Sequence, residues 1–325
     1  MGALTALPAL IEKFGADPAS VCSIANVDLT IFDYATNFIL YEDLANVLEQ
    51  ASKLTACPHF GLYVGEVWSV ADLGLIGELM RNSPTLGAAL RELELYHYLN
   101  SQGAVCYLLQ NKSYFDLGFT VYVPLKPKMH HVYNAVMAAG LKFISELSGR
   151  SNPVSDVFFT NIRPNKVDPY RKLFHANIHF NSLNCILRIQ NDILKIPIEG
   201  ARPERLEFHR KQIRALGEAN VVEQASRSLR ALLLVGTASA ETVAQSLGMH
   251  RRTLNRRLAK QGVTFHEILD NVRFAVASEL LKDSTAKIST IAEATAYSDP
   301  PSFVRAFKRW SGLTPGEWRI RNRTQ

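Results

Sequence analysis

The sequence predicts an α+β domain followed by an all-α domain that holds two helix-turn-helix units. Three observations carry this. Residues 104–198 contain short runs rich in β-branched and aromatic residues around one long helical stretch. PIEGARPER (197–205) interrupts that pattern with two prolines and a glycine. Beyond residue 220 a plan of capped helix, short turn and second helix occurs twice.

The first 110 residues read mostly as helices. In 41–55, Leu44, Val47 and Leu48 share a face, with Leu54 further along. The stretch 83–103 opens with Ser83 and Pro84, a cap and first-turn pair, and carries Leu86, Leu90, Leu93 and Tyr96. Residues 104–110, 115–125, 155–164 and 185–198 read as strands, and 130–149 as a helix that Gly149 ends. A charged helix over 204–216 stops at Gly217. The domains expected are 1–199 and 221–325, joined by a linker over 200–220.

In the second domain Ser239 caps a helix over 240–247, Gly248 supplies a left-handed turn residue, and His250 opens a helix over 251–260. Leu254 and Leu258 face inward, so Arg251, Arg252, Asn255 and Arg256 project outward from the N-terminal half. Thr264 and Glu267 form a capping box for a helix over 265–281. Its 17 residues span roughly 25 Å. The second unit, 289–310, has Ser289 as cap, a turn at AYSD and a helix from Pro300. Gly312 ends that helix, and Thr314–Pro315 starts a last one.

The outward side chains suit DNA. Arginine pairs with guanine O6/N7 and asparagine with adenine N6/N7, and the N-terminal half of the second helix enters the major groove. Charge agrees: residues 221–325 hold 16 Lys and Arg against 9 Asp and Glu, while residues 1–220 hold 20 against 21. The whole excess of the net +6 lies in the last third, which points to a polyanion partner there.

Residues 221–325 resemble the DNA-binding domain of the AraC/XylS family of bacterial transcription regulators. The resemblance rests on TVAQSLGMHRRTLNRRLAKQGVTFHEIL and ISTIAEATAYSDPPSFVRAFKRWSGLTPGEWR. It implies two recognition helices in adjacent major grooves. Carried onto this chain, it makes Arg252, Asn255 and Arg256 base-contact candidates in the first unit, beside Arg251. Ser302 and Arg305 are their counterparts in the second, with Lys308 and Arg309 nearer phosphate. Two departures stand out. Ala296 occupies the usual turn glycine, and Pro300–Pro301 offers no side-chain donor where the second recognition helix starts. The first unit is therefore expected to carry most of the sequence discrimination.

Residues 59–99 and 158–198 resemble the arabinose-binding-like N-terminal domain of a subset of that family, in the FGL of 60–62, a glycine-spaced middle and the late strands. This implies effector sensing, dimerisation or both, without showing that arabinose binds. The partners expected are double-stranded promoter DNA, RNA polymerase, a second copy of the chain and, on the sensing reading, a small-molecule effector. An activator is expected. The alternative is a ligand-free dimerisation or protein-partner domain on the same DNA reader.

No G-x-S-x-G, P-loop, H-E-x-x-H or G-x-G-x-x-G occurs, so no catalysis and no cofactor are expected. The comparison of Cys57 with methyl-accepting cysteines fails on its neighbours. Cys22, Cys57, Cys106 and Cys185 lie far apart, without zinc spacing or a disulfide framework, and read as buried or idle thiols. His175 and His179 lack a third ligand, and His130–His131 reads as a helix start, so no metal is expected. The composition, 47% hydrophobic and 20% charged, is that of an ordinary globular protein. No run is long enough for a membrane span, the start lacks a basic signal region, and Ala6 stands where myristoylation wants Ser or Thr. The expected location is the cytoplasm, with the nucleoid when DNA is bound.

Overall fold

The computed structural model describes residues 2–101, 103–123, 125, 128–215, 220–234 and 236–323. Its first part is a layer of short helices, α1 (Leu7–Lys13), α2 (Pro18–Ala25), α3 (Tyr41–Leu54), α4 (Phe60–Glu66), α5 (Leu75–Arg81) and α6 (Leu86–Tyr96). Leu44, Val47 and Leu48 are buried along α3, while Leu54 at its end is exposed. The cap of α6 is Thr85, whose hydroxyl accepts the Ala88 N–H at 3.3 Å, and not Ser83. Ser83 is wholly buried and its hydroxyl donates to the Leu79 carbonyl at 2.8 Å, closing α5 instead. A serine buried against the preceding helix is no longer free to cap the next.

Five strands follow, β1 (Ala104–Gln110), β2 (Tyr114–Val121), β3 (Asp156–Phe158), β4 (Asn177–His179) and β5 (Cys185–Gln190), with α7 (His130–Ser148) and α8 (Asp168–Phe174) between them. They form one sheet in the order β1-β2-β5-β3-β4, antiparallel except for the β3–β4 pair. Gly149 ends α7 in the left-handed conformation. The late strands are shorter than the sequence suggests, because the chain leaves the sheet after Gln190 for a 3-10 turn at Ile193–Lys195. His175 is the left-handed cap of α8, while His179 lies on β4 and bonds Asp156 at 2.9 Å.

Helices α4 and α7 cross nearly backbone to backbone. A Cβ on Gly61 would lie 2.3 Å from the His131 carbonyl oxygen, and one on Gly65 would lie 2.1 Å from that of Ala135. No other residue fits at either place.

The sheet has two covered faces. Ala104, Cys106, Leu117 and Phe119 point into the core of the first domain, whereas Val105, Tyr107 and Tyr122 pack with residues 221–272. On the inner face a cavity of about 590 Å³ lies among α3, α7 and strands β1, β2 and β5.

The remaining helices are α9 (Pro203–Ala215), α10 (Val221–Leu234), α11 (Ala240–Ser246), α12 (Arg251–Ala259), α13 (Phe265–Asp283), α14 (Ile288–Ala294), α15 (Pro300–Ser311) and α16 (Pro315–Arg323). The stretch expected as a linker thus contains α9. Leu206 and Ile213 bury it against Leu79 of α5, and Arg210 pairs with Glu92 of α6. The expected stop at Gly217 lies outside the described residues.

Candidate nucleic-acid interface

The first reading unit is α11 and α12. Ser239 caps α11 with a reciprocal bond to Thr242, Gly248 turns at φ +64°, and α12 starts at Arg251. Leu254 and Leu258 are fully buried and pack with Val243, Ala244 and Leu229, which fixes the helix's rotation. Arg252, Arg256 and Lys260 lie on the opposite face, with Arg251, Asn255 and Arg257 beside them, and all six are exposed. Among the described residues, no carboxylate lies within ion-pair distance of those arginines. Arg257 and Lys260 are additions to the sequence reading.

The second unit is α14 and α15. Ser289 lies within α14, whose cap position is Lys287 with no side-chain bond, so the expected serine cap is absent. The helix begins earlier because Lys287 is already extended and Ile288 already helical. Asp299 supplies the cap of α15, accepting the Ser302 N–H at 2.7 Å ahead of the two prolines. Phe303, Ala306 and Phe307 are buried, and Arg305, Lys308 and Arg309 are exposed. Ser302 is half-buried and accepts from Arg305 at 3.0 Å. Arg309 is drawn to Asp270 of α13 at 2.8 Å. Ala296 holds φ +56°, the left-handed turn that the missing glycine would adopt.

Between the units runs α13, opened by the Thr264–Glu267 capping box. Its first turns join the core of α10–α12 and its last turns that of α14–α16. At 19 residues it is roughly 28 Å long. Both units are thus built on one rigid helix.

The DNA-reading part is docked on the outer face of the sheet. Arg230 of α10, buried, donates to Thr120 Oγ1 from Nε and Nη2. Arg227 donates to the carbonyls of Glu94 and Leu95 and lies over the Tyr98 ring at 4.9 Å. Lys282 donates to the Leu125 carbonyl at 2.6 Å, and the Thr285 N–H donates to Asn181 Oδ1 at 2.5 Å. Glu279 sits against Tyr133, and burial raises its carboxyl to about 7 despite the nearby Arg230. Burial likewise raises Asp283 to about 6, against the pull of Lys282 and Lys128. These contacts escaped the sequence reading. The one signal was Arg230 itself, a charge set between Leu229 and Leu233 near the apolar end of α10.

The three buried cysteines and half-buried Cys57 are free thiols, and burial raises each of them. His130 does open α7. With His131 and Glu49 it forms a group whose ligand atoms lie within 4.8 Å of one another, a juxtaposition made by α3 and α7 that the sequence did not indicate.

Residues 15–198 match the family described as the arabinose-binding domain of AraC transcription regulator, N-terminal, and residues 243–321 match a helix-turn-helix domain family. The chain is 27% identical over 315 residues to the HTH-type transcriptional regulator VirS of Mycobacterium tuberculosis, covering 95% of this chain and 93% of that protein. It is 24% identical over 320 residues to the ornithine utilization regulator of Pseudomonas aeruginosa, covering 97% and 94%. The crystal structure of the transcriptional regulator CdpR from Pseudomonas aeruginosa aligns over 93% of this chain and 96% of its own, with 21% identity and a TM-score of 0.45.

Proposed function

The chain belongs to the AraC transcription regulators that carry an N-terminal arabinose-binding domain, and as such is a DNA-binding helix-turn-helix regulator; we propose that it activates transcription under the control of a small molecule held in its first domain. The DNA contacts fall to Arg251, Arg252, Asn255 and Arg256 of α12 and to Ser302, Arg305, Lys308 and Arg309 of α15. Helix α12 supplies most of the base discrimination, which its unpaired, exposed arginines support. Helix α15 mainly anchors phosphate, since its first turn is Pro300–Pro301 and Arg309 is shared with Asp270. RNA polymerase and a second copy of the chain are the protein partners this calls for, and no catalytic step falls to the chain. The location proposed is the cytoplasm; no helix of the described residues is long and apolar enough to cross a membrane.

One observation carries the sensing reading: strands β1 and β2 wall the cavity on one face and hold the DNA-reading helices on the other. A ligand that alters the packing of Cys106, Leu117 or Phe119 acts one residue away from Val105, Tyr107 or Thr120. It then shifts the balance between docked and released arrangements of the reader. The test is operator affinity with and without ligand, in the native protein and in Thr120→Val, where the coupling should shrink. Equal affinities with and without a bound ligand in the native protein would remove the sensing reading. The exposed apolar side chains of Ile24 and Tyr34 favour a second reading, dimerisation through the first domain. Native mass spectrometry decides it, and a monomer would exclude it.

A further inference from the structure

We propose that the cavity beneath the sheet binds an electrically neutral, mostly apolar molecule with one or two hydrogen-bonding groups, oriented by Trp68 and His97, and not a sugar, an organic acid or an amine. This rests on the sensing reading and names the class of its ligand. The size is set by the cavity: about 590 Å³ holds about twenty non-hydrogen atoms at roughly 30 Å³ each.

The walls are Leu48, Val64, Leu117, Phe119, Val136 and Phe143, none of which can bond a hydroxyl. A pentose would bring a ring of hydroxyls into this lining, and each one left unpaired costs more than its burial returns. Most polar groups at the wall are already committed. Asp72 accepts from Ser69 N and Oγ, both at 2.8 Å, Asn100 Nδ2 donates to the Leu73 carbonyl at 3.0 Å, and Tyr41 and Ser101 bond each other. Two atoms remain buried without a partner among the described residues, Trp68 Nε1 and His97 Nδ1. The indole N–H can only donate. Burial and the charge of Arg227 hold His97 neutral, with its pKa lowered to about 3. A neutral imidazole carries one donor and one acceptor nitrogen, so Nδ1 takes one hydrogen bond from or to the ligand. A hydroxyl, alone or beside a carbonyl, meets both needs.

Charge excludes the ionic alternatives. Among the described residues no Lys or Arg lines the cavity, so a carboxylate would be buried without a counter-ion. An ammonium group would leave water for a largely apolar lining whose two carboxylates, Glu42 and Asp72, are only half-buried, so pairing with them returns less than its desolvation costs. The mouth agrees with an apolar guest. Phe38, Leu40 and Val123 line the cavity yet are 76%, 72% and 36% exposed, apolar surface that such a ligand would cover.

The test uses full-length protein and four probes: 1-decanol, decanoate, decylamine and L-arabinose, by titration calorimetry at neutral pH below micellar concentrations. Decanol should bind at least tenfold more tightly than either charged analogue, and arabinose should give no heat. The chain has three tryptophans, and Trp310 and Trp318 pack around Phe307 and Phe274, so a ligand-induced emission change belongs to Trp68 and should vanish in Trp68→Phe. The same variant should weaken decanol by about five- to tenfold through loss of the indole donor. Val136→Phe, which puts a ring into the cavity wall, should weaken decanol binding at unchanged Tm; if it does not fold, Trp68→Phe decides alone. Decanoate, decylamine or arabinose binding as tightly as decanol overturns the ligand class, as does no decanol binding up to millimolar concentration. Decanol that binds both folded variants as it binds the native protein also overturns it. Sensing is judged separately, on a DNA fragment that the protein selects from random sequence: bound decanol with unchanged DNA affinity removes that reading and leaves the ligand class standing.

Discussion

Arg230 of α10 donates two hydrogen bonds to a single atom, Thr120 Oγ1 of β2, at 3.0 Å from Nε and 2.7 Å from Nη2. Both residues are buried, so this guanidinium reaches out of the DNA-reading part into the back of the sheet. Replacing Thr120 by Val keeps the shape and removes the acceptor. A buried charged donor left without its partner costs about 1–3 kcal/mol or more. Thr120→Val should lower Tm and speed amide exchange in α10 while α12 keeps its folding. Unchanged exchange in α10 would mean that the contact does not hold the domains together.

Across the same hairpin, Tyr107 faces Gly118, and a Cβ at position 118 would lie 2.1 Å from the Tyr107 Cζ. Gly118→Ala should destabilise by about 1–3 kcal/mol through overpacking. Tyr107→Leu in the same chain should recover part of that loss. Additive losses in the double variant, seen in denaturant titrations, would refute the steric account.

For DNA, Arg256→Ala should cost about 1–3 kcal/mol of specific affinity and relax preference at one base position. Lys308→Ala should weaken binding evenly over sequences and reduce the salt slope by about 1. Binding-site selection with Arg256→Ala and Arg305→Ala side by side checks the division of labour. Greater relaxation by Arg305→Ala would reverse it.

Ala296→Gly relieves a left-handed alanine at φ +56°. Its gain, offset by the entropy of glycine in the unfolded chain, should be up to about 1 kcal/mol. A lower Tm would show that the Ala296 methyl group packs more usefully than its backbone strains.

Docking should also depend on pH. Burial raises Glu279 to about 7 and Asp283 to about 6, while Arg230, Tyr133, Lys282 and Lys128 around them oppose it. Once released to water both carboxyls return to roughly pH 4. Protonation therefore favours the docked form. That contribution is complete below their ordinary range and is lost as pH rises through about 6 to 7. Calorimetric Tm should fall across this window, less steeply in Glu279→Gln. An identical slope in that variant would remove Glu279 as its source.

Much of the reading part was legible because its signals are local. Ser239 before Ala240, Thr264 before Glu267 and Gly312 after Ser311 each act on the helix beside them. Two serines misled for a tertiary reason. Ser83 is used up inside the end of α5, and Ser289 lies within a helix that starts at Ile288. The role of β1 and β2 was not legible at all. The first four residues of β1 and all of β2 after Tyr114 are buried without alternation, so the pattern cannot say which face meets the cavity and which meets another domain. The cavity was hidden for a further reason: Trp68, His97 and Val136 meet only through the packing of α3, α7 and the sheet.

The single span of α13 also sets a rule for the DNA that this protein can use. Because one unbroken helix is rooted in both reading cores, the distance between α12 and α15 is a property of the protein and not of its target. A genuine binding site must then present its two sub-motifs at one fixed interval. One inserted base pair should cost more than a mismatch in either motif, since it turns the second motif away from α15 and no hinge is there to follow it. Searches for target promoters can treat the interval as a constant and leave the sequence between the motifs free.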